Sequence, residues 1–131
     1  MFEKIKNDIY GVFASPQWKA KSIPSYPDNY VGETAGPPYV KVNILPGRSD
    51  PSGYAGKGIN GILLLEIYVV AGDGDTNTVK IADTLNGFFE GKTLTNGTQF
   101  GTSLLKPVGK VPNCPLYRTD YAIIFKIYGD L

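Results

Sequence analysis

Gly61-Ile62-Leu63-Leu64-Leu65-Glu66-Ile67-Tyr68-Val69-Val70-Ala71 is the stretch that decides the fold. Side chains alternate sides along a strand, so Leu63, Leu65, Ile67 and Val69 share one face. Ile62, Leu64, Glu66, Tyr68 and Val70 share the other. Both faces are mostly apolar, and both call for cover. The run is interrupted by Glu66 and is far shorter than the ~20 residues a bilayer-crossing helix needs. Gly72-Asp73-Gly74-Asp75 breaks it.

Upstream, Val40, Val42 and Ile44 alternate with Lys41 and Asn43, which predicts a half-buried strand from Tyr39 to Leu45, closed by Pro46. Between the two strands, Pro46 to Ile59 reads as a long polar, glycine-rich excursion with Arg48, Asp50, Tyr54 and Lys57. Loops of that length inside a compact domain usually carry function. Downstream, Tyr121, Ile123, Phe125 and Ile127 predict a last strand over 117–128, with Arg118, Asp120 and Lys126 on its other face. Residues 92–105 read as one or two short strands about the Asn96-Gly97 turn. Pro107, Pro112 and Pro115 predict a loop over 106–116.

Two helices flank these strands. Phe2, Ile5, Ile9, Val12 and Phe13 form an apolar stripe over 2–14, ended by Ser15-Pro16. Ile81, Ala82, Leu85, Phe88 and Phe89 form another over 76–90, with Asp75 or Thr76 as N-cap and Gly91 at the C-terminal stop. Gly87 inside this second helix costs about 1 kcal/mol against Ala, so a packing reason for it is expected. Residues 16–38, with Pro16, Pro24, Pro27, Pro37 and Pro38, read as an extended connection.

The expected fold is therefore one α+β domain over residues 1–131. Its mainly antiparallel, four- to five-stranded sheet carries two helices on one face, in the order α-β-β-α-β-β. Two helices cover one face of such a sheet. The face with Ile62, Leu64, Tyr68 and Val70 must then be hidden by curling of the sheet or by a neighbouring subunit.

Composition narrows the chemistry. The 131 residues hold 13 Lys and Arg against 12 Asp and Glu, a formal net charge of +1, with no His and one Cys. A near-neutral chain has no bulk attraction to nucleic acid or to an acidic membrane. Without His, the His-dependent triads and metal sites are excluded. Cys114 has no partner for an intrachain disulfide and no His to activate it. Charges interrupt the first eight residues, which leaves no apolar signal-peptide core. Asn96-Gly97-Thr98 fits a glycosylation sequon but reads as a turn. Asp73-Gly74-Asp75 begins like a calcium loop. The Gly and Glu that such a loop needs later are Thr78 and Thr84. Gly91-Lys92-Thr93 lacks the earlier glycine of a phosphate loop and follows a helix where it should open one. No cofactor and no metal is expected. Glu66 is expected to bond across the sheet or an interface, with Arg118 or Lys126 as its counterpart. Tyr26, Tyr30 and Tyr54 lie in presumptive loops and are the aromatics best placed for contact with a partner.

The whole layout resembles the tail terminator proteins of long-tailed phages, the minor tail protein U-like group. The resemblance lies in the opening helix Phe2–Phe13, the proline- and aromatic-bearing lead into Pro38-Tyr39-Val40-Lys41-Val42, and the glycine-rich hairpin arm from Pro46 to Asn60. It continues through the Gly61–Val69 strand, Ala71-Gly72-Asp73-Gly74, the helix with Ile81-Ala82-Asp83-Thr84-Leu85 and Phe88-Phe89, and the final Tyr117-Arg118-Thr119. It implies a non-enzymatic virion protein, a homohexameric ring at the head-proximal end of the tail that assembles in the host cytoplasm. The ring would cap the tail tube protein and present a joining surface to the head-completion or connector protein. The resemblance transfers no functional residue. Position and chemistry instead select Arg48, Asp50, Tyr54, Lys57, Glu66, Tyr68 and Arg118 as contact residues. A head-closure or joining factor of the same neck is the alternative. A small ligand-binding domain, or an enzyme working with two carboxylates, is a more distant one.

Overall fold

The computed structural model describes residues 2–27, 36–52, 56–72 and 74–130; of residues 46, 48–52, 56, 57, 129 and 130 the backbone alone is described. The elements run α1 (Phe2–Ala14), α2 (Pro16–Lys19), β1 (Ser25–Pro27), β2 (Tyr39–Ser52), β3 (Gly56–Val70), α3 (Thr76–Phe89), β4 (Gln99–Lys110) and β5 (Leu116–Asp130). The strands form one five-stranded sheet in the order β1-β2-β3-β5-β4. The decisive run lies in β3, the central strand. It pairs antiparallel with β2 on one side and with β5 on the other.

The inner face follows the period-2 reading. Leu63, Leu65, Ile67 and Val69 are buried, as are their cross-strand neighbours Val40, Val42, Tyr121 and Ile123. Ile5, Ile9 and Phe13 of α1 join the same core, with Ile81, Ala82, Leu85 and Phe89 of α3. Phe2, at the head of the α1 stripe, stays 56% exposed.

The element order differs from α-β-β-α-β-β in two places. Ser15-Pro16 ends α1 but also starts α2, because the Ser15 hydroxyl accepts the Trp18 N–H at 3.3 Å and Pro16 occupies the first helical turn. This turn buries Trp18 edge-on against Phe13 and Phe88, with centroids 5.0 and 5.7 Å apart. The two-helix reading is thus corrected to three helices. In the proline-bearing connection, Ser25–Pro27 adds a parallel edge strand to β2, so the sheet is mixed. Three residues interrupted by proline carry no readable alternation.

The strands also run longer than expected. Residues 46–52 and 56–59, a polar excursion by composition and a hairpin arm by the resemblance, pair with each other and continue the sheet. Ser49 pairs with Ile59, Asp50 with Gly58 and Ser52 with Gly56, after an irregularity between Pro46 and Ser49. Backbone hydrogen bonds need no apolar alternation, and the bulge absorbs Gly47-Arg48 opposite Asn60. Likewise β4 extends through Pro107 to Lys110, where a loop was expected, with a second irregularity at Pro107/Gly109. As the outermost strand it tolerates a proline. Among the described residues no helix is long and apolar enough to cross a membrane.

Candidate interaction surface

The face of the sheet away from the helices is built in cross-strand rows. One row sets Lys41, Glu66, Asp120 and Lys106 side by side across β2, β3, β5 and β4. Next to it lies a row of Asn43, Leu64, Ala122 and Leu104. Leu45, Ile62 and Ile124 form the following row, and Asn60, Lys126 and Gln99 the one after that. Leu45, Ile62, Leu104 and Ile124 are 50, 41, 65 and 55% exposed. The twist of the sheet has not hidden them. They form an apolar patch between two polar rows, the layout of a contact surface with a polar rim.

Glycine shapes the patch. A Cβ on Gly61 would lie 2.5 Å from the Phe125 ring and 2.6 Å from the Leu45 carbonyl oxygen. Gly61 therefore stays bare, and with Gly101 it opens a groove lined by Leu45, Ile62, Phe100, Ile124 and Phe125.

The polar row is tightly bonded. Glu66 accepts from the Asn43 amide and from the Tyr68 hydroxyl, and Arg118 Nε lies 3.5 Å from Glu66 Oε1. Arg118 also grips Asp120 with two bonds, Nε to Oδ1 at 2.8 Å and Nη2 to Oδ2 at 3.0 Å. Tyr39 stacks on Tyr68 with centroids 5.0 Å apart, and Lys41 Nζ stands 5.7 Å from the Tyr68 ring centre. Burial, reinforced by the bond to Glu66 and that group's charge, holds the Tyr68 hydroxyl far above the ordinary tyrosine range. Both carboxylates are engaged by donors of the same sheet, which makes the row a rigid ladder of fixed charges.

Of the residues selected from sequence, Glu66, Tyr68 and Arg118 come together here, and Arg118 is the counterpart expected for Glu66. Lys126 is not: it sits opposite Asn60, with Nζ 5.6 Å from the Tyr128 ring centre. Asp50 and Lys57 lie on the paired distal ends of β2 and β3, about 30 Å along the strand from Glu66 at ~3.4 Å per residue, and Arg48 lies in the bulge before them, about 24 Å away. Tyr54 and Tyr30 fall outside the described residues. Tyr26 belongs to β1 and meets Tyr39 edge-on. Sequence reasoning missed Tyr39, Asn43 and Asp120 as members of the cluster. Their alternation was visible, but cross-strand register was needed to set them beside Glu66.

No family model matches the chain, and no curated protein matches it. Solved structures do match. One, whose name describes no activity, superposes with a TM-score of 0.68 over 97% of this chain and 95% of that chain, at 11% identity. Another is a chain from the virion of a native gene transfer agent (GTA) particle, with a TM-score of 0.64 over 93% of this chain and 92% of that chain, at 14% identity. At these identities the likeness is one of fold.

Proposed function

We propose that this chain is a structural protein of a phage-like virion, and that within the virion it is the tail terminator. Six copies would close into a ring on the end of the tail tube and offer the joining surface to the head connector. The observation that carries the reading is the fold shared along almost the full length of both chains with a component of a GTA virion. The open sheet face adds to it, since an apolar patch beside fixed charges suits an assembly part. In this role the chain catalyses nothing and needs no cofactor. A closed ring is built from head-to-tail interfaces, leaving the arm formed by distal β2 and β3 to reach the tube or connector with Arg48, Asp50, Tyr54 and Lys57.

The test is size-exclusion chromatography with light scattering, with and without tail tubes. A six-chain mass, or a monomer that assembles on tube ends, supports the role. Persistent dimers that never bind a tube overturn it. Arg48→Ala with Lys57→Ala should leave the circular dichroism unchanged and weaken tube capping; unaltered capping removes the arm from the mechanism. A GTA virion likeness also fits a head-closure or joining protein of the same neck. Imaging the labelled ring at the portal side of the junction would favour that reading.

A further inference from the structure

We infer that two copies of this chain pair through the open sheet face, about a two-fold axis lying across the strands at the level of Leu63 and Ile123. The observations are the order of the rows, the state of the sheet edges and the size of the face.

The rows are self-complementary about that level. On β3, Leu64 and Ile62 lie one residue either side of Leu63, and Glu66 and Asn60 three residues either side. On β5, Ala122 and Ile124 flank Ile123 in the same way, and so do Asp120 and Lys126. A two-fold axis along this line turns one sheet face onto the other and exchanges the members of each pair. Leu64 then meets Ile62 of the second copy, and small Ala122 meets large Ile124, as interlocking sheet faces require. Asp120 meets Lys126 of the second copy, and Glu66 meets the Asn60 amide. Each contact occurs twice. The row of Lys41, Glu66, Asp120 and Lys106 lies on one side of the apolar patch and Lys126 on the other, so on the two central strands the rotation sets Asp120 against Lys126, the opposite-charge contact of the pair.

Edge-to-edge joining through β4 is guarded against. The free edge strand β4 carries Lys106 and Pro107 and is irregular at Phe100/Ser103 and at Pro107/Gly109. These are the devices by which natural sheets blunt an edge. The face has no such guard at its centre. Four strands at ~4.8 Å and nine residues at ~3.4 Å span about 600 Å² of flat face per copy. Two such faces give about 1,200 Å², the lower end of specific interfaces. The pair is therefore reversible, and a partner within the virion could displace one copy from the other.

Sedimentation equilibrium over a concentration series tests the pairing, using the full chain. The wild type should show a concentration-dependent dimer, or, where it closes into rings, a concentration-dependent doubling of the ring's mass. Ile124→Asp and Lys126→Glu change exposed side chains and should each raise the dissociation constant about tenfold or more, with circular dichroism and thermal midpoint retained. Lys126→Glu sets a carboxylate against Asp120, so it reads the charge contact independently of the apolar one. A wild type that stays monomeric at high concentration overturns the pairing. So does an assembly of any size whose dissociation neither variant changes. A ring that forms and caps tubes without face pairing leaves the proposed tail role standing. Pairing without tube binding leaves the pair standing and removes that role.

Discussion

Asp8 shows how one polar residue can hold a small fold together. It is buried within α1, and its carboxylate accepts the Asn96 N–H at 2.8 Å, the Thr98 N–H at 3.2 Å and the Thr98 hydroxyl at 2.7 Å. The sequence gives no sign of this, since Asp8 falls among the polar residues of an amphipathic helix and its partners are some ninety residues away. Asp8→Ala strands two backbone donors and a hydroxyl, and each unsatisfied group costs about 1–3 kcal/mol. We expect a loss of about 3 kcal/mol in urea unfolding, with a smaller loss for Asp8→Asn, which keeps one acceptor oxygen. Tyr121 makes a second prediction, on pH. Its hydroxyl donates to Asn86 Oδ1 at 2.6 Å, and burial pushes its pKa from 10.0 up to about 12. Below pH 10 both folded and unfolded chains hold this proton, and the contribution to stability is intact. Between pH 10 and 12 the unfolded chain releases it first, so stability falls as pH rises. Tyr121→Phe should show a shallower alkaline loss over that window, at a cost of about 1 kcal/mol at neutral pH for the missing bond.

Single elements show what their sequence encodes and what it leaves open. The stripes of α1 and α3, and the buried faces of β3 and β5, were legible because each repeats a period that burial enforces. Gly91 was legible too: with φ of 69° it follows α3 in the left-handed conformation that stops helices. The distal pairing of β2 with β3 was legible only through the resemblance, and β1 not at all, because glycine and proline erase side-chain alternation while leaving the backbone free to pair. Gly87 misled in the opposite direction. A Cβ there meets nothing within 4 Å, and the same holds for Gly11 in α1, so neither glycine answers an internal packing demand. Gly11→Ala and Gly87→Ala should therefore each stabilise the chain by about 1 kcal/mol. Both glycines line one groove between α1 and α3, so the departure of the double variant from the sum measures their coupling, read from the shift of the denaturant midpoint at unchanged m-value. A destabilised Gly87→Ala would mean that the groove between α1 and α3 closes more tightly than its geometry shows.

At the scale of the whole molecule, the helices and the sheet depend on each other through one aromatic seam. Trp18, the single tryptophan, is 2% exposed, and its neighbour Phe13 lies 5.7 Å from Phe89, which in turn lies 5.2 Å from Phe100 of β4. The seam therefore runs from α2 through α1 and α3 to the sheet. Ile5, Ile9 and Phe13 cover the inner face that Leu63, Leu65 and Ile67 present, and removing them would leave that face in water at about 25 cal/mol per Å² exposed. A sheet open on its outer side has no second cover to fall back on, so the helical layer and the sheet should unfold as one unit. The measurement is direct. Trp18 fluorescence reports the seam, and far-ultraviolet circular dichroism reports the strands and helices together. Their urea transitions should coincide in midpoint and slope, and deleting residues 2–14 should abolish both. If Trp18 is released before the circular dichroism changes, the sheet persists without its helices, and the central role given to the α1–α3 seam is wrong.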